Sequence, residues 1–364
     1  MTNRRSFLKN TMQTLAASGL AYLPSQLNAA DIQPAEGNKY KYWGWVNPDH
    51  NESVATLKER YKKYASVGFK GILFEADSQK HFEEAKQNGL EAHRWNWTMN
   101  NGAAKLLKEH PEWYAVSRSG NSCATKPPYV DYYRWLCPSK PEVLSFLMEE
   151  ANTILSKNYI DGLHLDYIRF SDVILPLNLW SDYKLVQQTE LPDYDFCYCK
   201  TCRDKYQAQT GKDPLNLQFP DAQVSWRTFR YRAINDVVNS LATVAKAHNK
   251  KISAAVFPTP EIARRIVRQD WTNWNLDAVF PMIYHKFYQE EATWIGEAVA
   301  EGVHFLNNKF PLYAGLYLPD FNNDMAELEM AIHLAVKNKA AGVSLFGNID
   351  DKVLETLKNM ANMS

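Results

Sequence analysis

The sequence lacks an excess of charge of either sign, since 41 Lys and Arg stand against 41 Asp and Glu in 364 residues. Without a basic run or stripe it has little to neutralise a phosphate backbone, which argues against nucleic acid as the main partner. No segment beyond residue 23 approaches the apolar length needed to span a bilayer, so no membrane insertion is expected of the mature chain. A Gly-rich phosphate turn is absent, as are His-Glu-x-x-His and Gly-x-Ser-x-Gly. These absences count against a doubly wound nucleotide-binding sheet, a compact zinc-hydrolase motif and a nucleophilic serine. Cysteine is scarce, and five residues cannot all pair.

What is present begins at the N-terminus. Arg4 and Arg5 precede Phe7 and Leu8, a mildly apolar stretch follows from residue 11 to 23 without an acid, and the small residues Ala29 and Ala30 come next. That order is the pattern of a twin-arginine export signal. It predicts a signal over 1–29, leaving 30–364 as a single domain, and a periplasmic or secreted protein. No cysteine follows the apolar stretch, so a lipid anchor is not expected. Arg4, Arg5 and Lys9 are the only charged residues of the signal, leaving 38 basic against 41 acidic residues in a nearly neutral chain. A neutral polymer suits that balance. Aromatics reach 13%, with 11 Trp and 20 Tyr, and flat rings stack well on the apolar faces of sugars, although most must fill the core.

Eight short, β-rich apolar runs alternate with amphipathic stretches: residues 42–46, 71–76, 90–95, 162–166, 252–257, 278–283, 312–317 and 342–346. Helices are expected over 54–67, 81–88, 141–157, 224–248, 294–301 and 324–338. This alternation predicts an α/β fold, a single (β/α)8 TIM barrel, with an open doubly wound sheet as the alternative. Long connections follow strands three and four. In such a barrel the βα loops crowd the C-terminal face, where active sites sit.

The segment 161–170, Asp-Gly-Leu-His-Leu-Asp-Tyr-Ile-Arg-Phe, is the most informative. Side chains alternate along a strand, so Leu163 and Leu165 face the helices while His164 and Asp166 point inward, with Asp166 at the carboxyl end. Arg169 is placed to keep Asp166 ionised, and a structural Asp166–Arg169 pair is the competing reading. Together with His110-Pro111 and Trp113, and with Pro138, Pro141, Glu142 and Val143 at the start of the preceding helix, this segment resembles the glycosyl hydrolase-like 10 group. The likeness is strong over about residues 90–170, weaker to Pro281–Tyr284, and implies a barrel with glycosidase activity on an unspecified sugar.

Glycoside hydrolysis normally needs two carboxyl groups. Asp166 is expected to be the nucleophile or transition-state stabiliser, with Glu75 or Glu261 as its partner. Expected substrate-binding residues are Trp45, His93, Trp95, Trp97, Trp135, His164, Arg169, Tyr284, His285, Tyr317 and Asp320. The chemistry requires no cofactor. A glycan-binding barrel without catalysis and a metal hydrolase using His93, His164 or His285 are the alternatives. Cys197, Cys199 and Cys202 are read as structural: a zinc site, given a fourth ligand from elsewhere, or a disulfide formed after export. Oligomeric state is not legible.

Overall fold

The computed structural model describes residues 40–362, so the expected export signal over 1–29 lies outside the described residues. The strands are β1 Tyr42–Val46, β2 Phe69–Phe74, β3 Glu91–Trp97, β4 Gly162–Asp166, β5 Lys251–Val256, β6 Ala278–Pro281, β7 Tyr313–Tyr317 and β8 Gly342–Phe346. All ladders are parallel, in the order β6-β5-β4-β3-β2-β1-β8-β7. Parallel bridges from Val279 to Leu312 and from Met282 to Gly315 join β6 to β7 and close the ring. The fold is the expected (β/α)8 barrel.

The helices are α1 Val54–Val67, α2 Gln79–Gln87, α3 Ala104–Glu109, α4 Pro141–Leu155, α5 Lys200–Thr210, α6 Val224–Ala247, α7 Pro260–Val267, α8 Trp294–Leu306, α9 Met325–Lys337 and α10 Asp351–Asn362. Local chemistry explains several of their bounds. Ser53 caps α1 by accepting from the Thr56 N–H at 3.1 Å, and Gly68 ends it at φ 107°, where a side chain would be strained. Pro141 starts α4, whose buried residues Val143, Leu147, Ala151 and Leu155 form one stripe against the sheet. Helices α3, α5, α7 and α10 are not among those expected from the sequence, although Ala263, Ile266 and Val267 of α7 and Val353, Leu354, Leu357 and Met360 of α10 form apolar stripes. In α5 only Cys202 and Tyr206 are buried, too few to make a periodic signal.

Inside the ring the alternation predicted for β4 holds. Leu163 and Leu165 join the large core between sheet and helices. The interior has its own cluster of Trp43, Trp45, Leu73, Trp95, Ala255 and Phe280. Trp43 and His93 fill its floor, and each needs a glycine beside it. A Cβ on Gly71 would stand 2.4 Å from the Trp43 ring, and one on Gly162 would stand 2.8 Å from His93. These glycines lie in register with the rings they admit.

The two long excursions pack on each other. The Tyr198 N–H donates to Val116 O at 2.7 Å, and Arg118 N–H to Asp195 O at 2.9 Å. Asp195 is fully buried, accepting from Arg230 Nη1 of α6 at 2.5 Å and from the Tyr198 hydroxyl at 2.6 Å. A buried pair with its lone pairs filled in this way ties the second excursion to the barrel wall.

At the opposite end, Glu91 of β3 accepts from His93 Nε2 at 3.1 Å and from Lys251 Nζ of β5 at 2.7 Å. Burial pushes its carboxyl up, but these bonds overcome it and hold the group down from 4.5 to about 2. A depressed carboxylate contributes stability that is complete above its unfolded value and is lost as pH falls through the folded one. Glu91→Gln should therefore lower the melting temperature at pH 7 and flatten its decline between pH 4.5 and about 2. Thermal denaturation across that window checks it; a parallel decline in both proteins would remove Glu91 from the linkage.

Candidate active site

The C-terminal mouth of the barrel opens into a cavity of about 400 Å³, within the range of small-ligand pockets. Asp166 and Glu75 both line it. Leu73, in the interior cluster, fixes the parity that carries Glu75 two residues later to the same side. Asp166 is buried, with Oδ2 accepting from Trp95 Nε1 at 2.9 Å and Oδ1 from its neighbour's Tyr167 N–H at 2.6 Å. Burial raises its carboxyl above the ordinary carboxylate value, the two N–H donors and the Arg169 charge pull it back, and Glu75 raises it further. The Glu75 carboxyl is also raised, by burial, with only the charge of Arg94 opposing. The two carboxyls therefore differ in what favours ionisation: Asp166 has two N–H donors aimed at it, whereas for Glu75 only the charge of Arg94 opposes burial.

Arg169 does not pair with Asp166 through a hydrogen bond. Its Nη1 donates to Asp172 Oδ2 at 2.9 Å and to Phe170 O at 2.9 Å. The guanidinium carbon lies 4.7 Å from the Trp135 ring centroid, 5.0 Å from Phe257 and 5.4 Å from Tyr167. This aromatic box favours a cation and excludes water from it. Its charge is balanced by Asp172, leaving Asp166 and Glu75 as the unpaired carboxyls of the cavity.

The structure brings together Asp166, Glu75, Trp45, Trp95, Trp97, Arg169 and Tyr284 along the cavity wall. Trp97 is 36% exposed at the rim, tilted over Tyr167 at 4.7 Å. The Trp45 indole N–H is buried without a protein partner, a free donor in the wall. Other expected residues lie elsewhere. Glu261 is exposed in the first turn of α7, with its N–H on Glu301 Oε1, and lines a separate surface hollow. Strand β5 ends at Val256, so the turn at Pro258–Pro260 carries Glu261 away from the mouth.

His93 belongs to the floor, on Glu91. His164 lies beneath the cavity with Nδ1 2.8 Å from Ser253 Oγ and its ring edge-on to Trp45 at 4.7 Å. Burial holds its imidazole well below the ordinary value, so it is neutral and supports Trp45 rather than touching a ligand. Trp135 stands behind Arg169. His285 and Asp320 face each other at 3.9 Å outside the cavity wall, and Tyr317 backs Tyr284 at 5.3 Å. Among the described residues the three histidines weighed as metal ligands do not gather into one group, and each faces a different polar neighbour, Glu91, Ser253 or Asp320.

Sequence reasoning missed Tyr129, Tyr133, Tyr167, Asp172 and Tyr183, which complete the wall from the two excursions. Tyr167 carried a usable signal, since it directly follows the strand-end acid. It adopts φ 48°, a conformation disfavoured for a bulky residue, and its N–H donates to Asp166. The others are loop residues with no periodicity to expose them. Away from the cavity, Cys137, Cys197, Cys199 and Cys202 are buried with all four sulfurs within 4.8 Å of one another. Among the described residues this is the only group of three or more His, Cys, Asp or Glu so gathered.

No protein-family model matches the sequence, and no curated protein matches it either. The likeness to the glycosyl hydrolase-like 10 group therefore rests on its motifs. Solved structures resemble the fold. The glycoside hydrolase domain of PgaB (BpsB) from Bordetella bronchiseptica superposes with a TM-score of 0.63 at 12% identity, covering 88% of this chain and 98% of that one. A β-galactosidase from the Antarctic haloarchaeon Halorubrum lacusprofundi gives 0.60 at 10%, covering 88% of this chain and 57% of its own. The catalytic domain of a Paenibacillus polymyxa β-amylase gives 0.53 at 10%, covering 85% and 93%. At these identities the likeness is one of barrel architecture.

The Arg169–Asp172 pair is nearly inaccessible to solvent, so removing one charge strands the other. Asp172→Asn should destabilise the protein by about 3–5 kcal/mol, read as a shift in the urea midpoint. A loss below about 1 kcal/mol would place the pair with ordinary surface ion pairs.

Proposed function

We propose that this protein is a glycosidase that hydrolyses O-glycosidic bonds of a neutral poly- or oligosaccharide. The observation that carries the reading is the meeting of Asp166 and Glu75 in one aromatic-walled cavity at the C-terminal mouth of the barrel. The similarity of the fold to three glycoside hydrolase structures adds to it by analogy.

In this reading Asp166, with N–H donors on both oxygens, acts as the carboxylate. It attacks the anomeric carbon or stabilises the positive charge that develops there. Glu75, raised by burial with only the charge of Arg94 opposing, holds the proton and delivers it to the departing oxygen. The Trp45 N–H supplies a hydrogen bond to a sugar hydroxyl, and Trp97 at the rim supplies a stacking face. The sequence before residue 30 supports export by the twin-arginine route, placing the substrate outside the cytoplasm. The described helices include none long and apolar enough to cross a membrane.

A panel of polysaccharides digested by the mature protein, followed by product analysis, tests the activity. Asp166→Asn and Glu75→Gln should each lower kcat/KM by about 10²–10⁴-fold, with the Glu75→Gln loss smallest on aryl glycosides whose leaving group needs no proton. Full activity of Asp166→Asn on a substrate the wild type cleaves would refute the assignment. Saccharide binding without cleavage by the wild type would identify a binding barrel instead.

Trp95→Phe separates the donor from the ring. It removes a hydrogen bond that favours the ionised Asp166, so the acid limb of the kcat/KM profile should move to higher pH. An unmoved limb alongside a changed KM would make Trp95 a binding surface only.

A further inference from the structure

The four buried cysteines form a group that the proposed chemistry does not use. Cys137 comes from the excursion after β3, and Cys197, Cys199 and Cys202 from the one after β4. Cys137 Sγ lies 3.6 Å from Cys199 Sγ and 3.5 Å from Cys202 Sγ. Sulfur atoms in a disulfide are about 2.05 Å apart. Four thiolates around a zinc ion at about 2.3 Å stand about 3.8 Å from one another along the edges of a tetrahedron. The observed separations match the second arrangement.

We infer that Cys137, Cys197, Cys199 and Cys202 hold one zinc ion, which clips the two excursions together behind the active cavity. The donor set is all sulfur, closed and buried, the shell of a structural rather than a catalytic zinc. Outer contacts suit thiolate ligands. The Val116 N–H donates to Cys197 Sγ at 3.4 Å. Cys199 occupies the N-cap of α5, beside the first N–H groups of that helix. Such N–H donors offset the negative charge of a four-thiolate shell and orient the ligands.

Two lysines flank the group and fasten its halves. Lys205 Nζ of α5 donates to Ser139 O at 2.6 Å, and Lys140 Nζ to Thr201 Oγ1 at 3.3 Å. The fifth cysteine, Cys123, is buried outside the group.

The clip has a consequence for the cavity. Cys137 is two residues from Trp135, whose ring lies against Arg169. Closing a long loop by a metal removes conformational freedom from the segment that carries that wall.

Metal analysis of the purified full chain after exhaustive dialysis tests the proposal directly. The expected result is one equivalent of zinc per chain, released by a mercurial reagent together with four thiols. Cys202→Ser should lose the metal, melt lower and be cut by protease between Ser171 and Pro220, whereas Cys123→Ser should keep it. Should Cys202→Ser fail to fold, the stoichiometry of the unaltered protein still decides. Substoichiometric zinc, with the four cysteines found as free thiols or as disulfides by alkylation and mass spectrometry, would overturn the proposal. Iron in place of zinc would overturn the choice of metal.

Discussion

Closing eight parallel strands into a ring creates an interior that only inward-facing side chains can fill. In this protein that space is taken by large rings: Trp43 and His93 on the floor, with Phe280 and Tyr313 stacked beside them at 5.2 Å. Trp45, Trp95 and His164 form the next level. Rings of this size fit because the strands supply glycine where they approach most closely, at Gly71 and Gly162. The packed floor leaves one end of the interior available, and the strand ends that reach it carry Glu75 and Asp166. Trp95 joins that upper level to the mouth, since its ring packs on Trp45 while its N–H holds Asp166.

The electrostatics of the mouth follow from the same packing. An aromatic wall removes water from the carboxyls, which raises both above ordinary values. Arg169 offers less relief than its position in the sequence suggests, because its guanidinium bonds Asp172 within a box of rings. The result is an acidic pocket in which two carboxyls compete for protonation under different local donors. Such asymmetry is the usual route by which two similar groups acquire separate acid and base roles.

The excursions after β3 and β4 build the rest of the wall, and each depends on the other. A bridge between Ser117 and Phe196, the buried Asp195–Arg230 pair and the four-cysteine group all cross between them or anchor them to α6. Loops of this length have little core of their own, so cross-connections decide whether Tyr129, Tyr133 and Tyr183 face the cavity.

Strand alternation is a local property with a period of two residues, and the chain displays it plainly. The sequence alone therefore determined the barrel, the bounds of β1, β4 and β8, and the inward placement of His164 and Asp166. Of the helices, α1, α2, α4, α6, α8 and α9 were legible from their apolar periodicity, while α5, with two buried residues, was not. Distance along the barrel axis and across the ring has no local signature. Only the tertiary structure decided that Glu75 shares the cavity with Asp166 and Glu261 does not, that Arg169 pairs with Asp172, and that Cys137 joins three cysteines some 60 residues later in the chain. Those outcomes depend on how far each strand rises before its loop turns away and on which excursions meet, and such quantities exist only once the ring has closed.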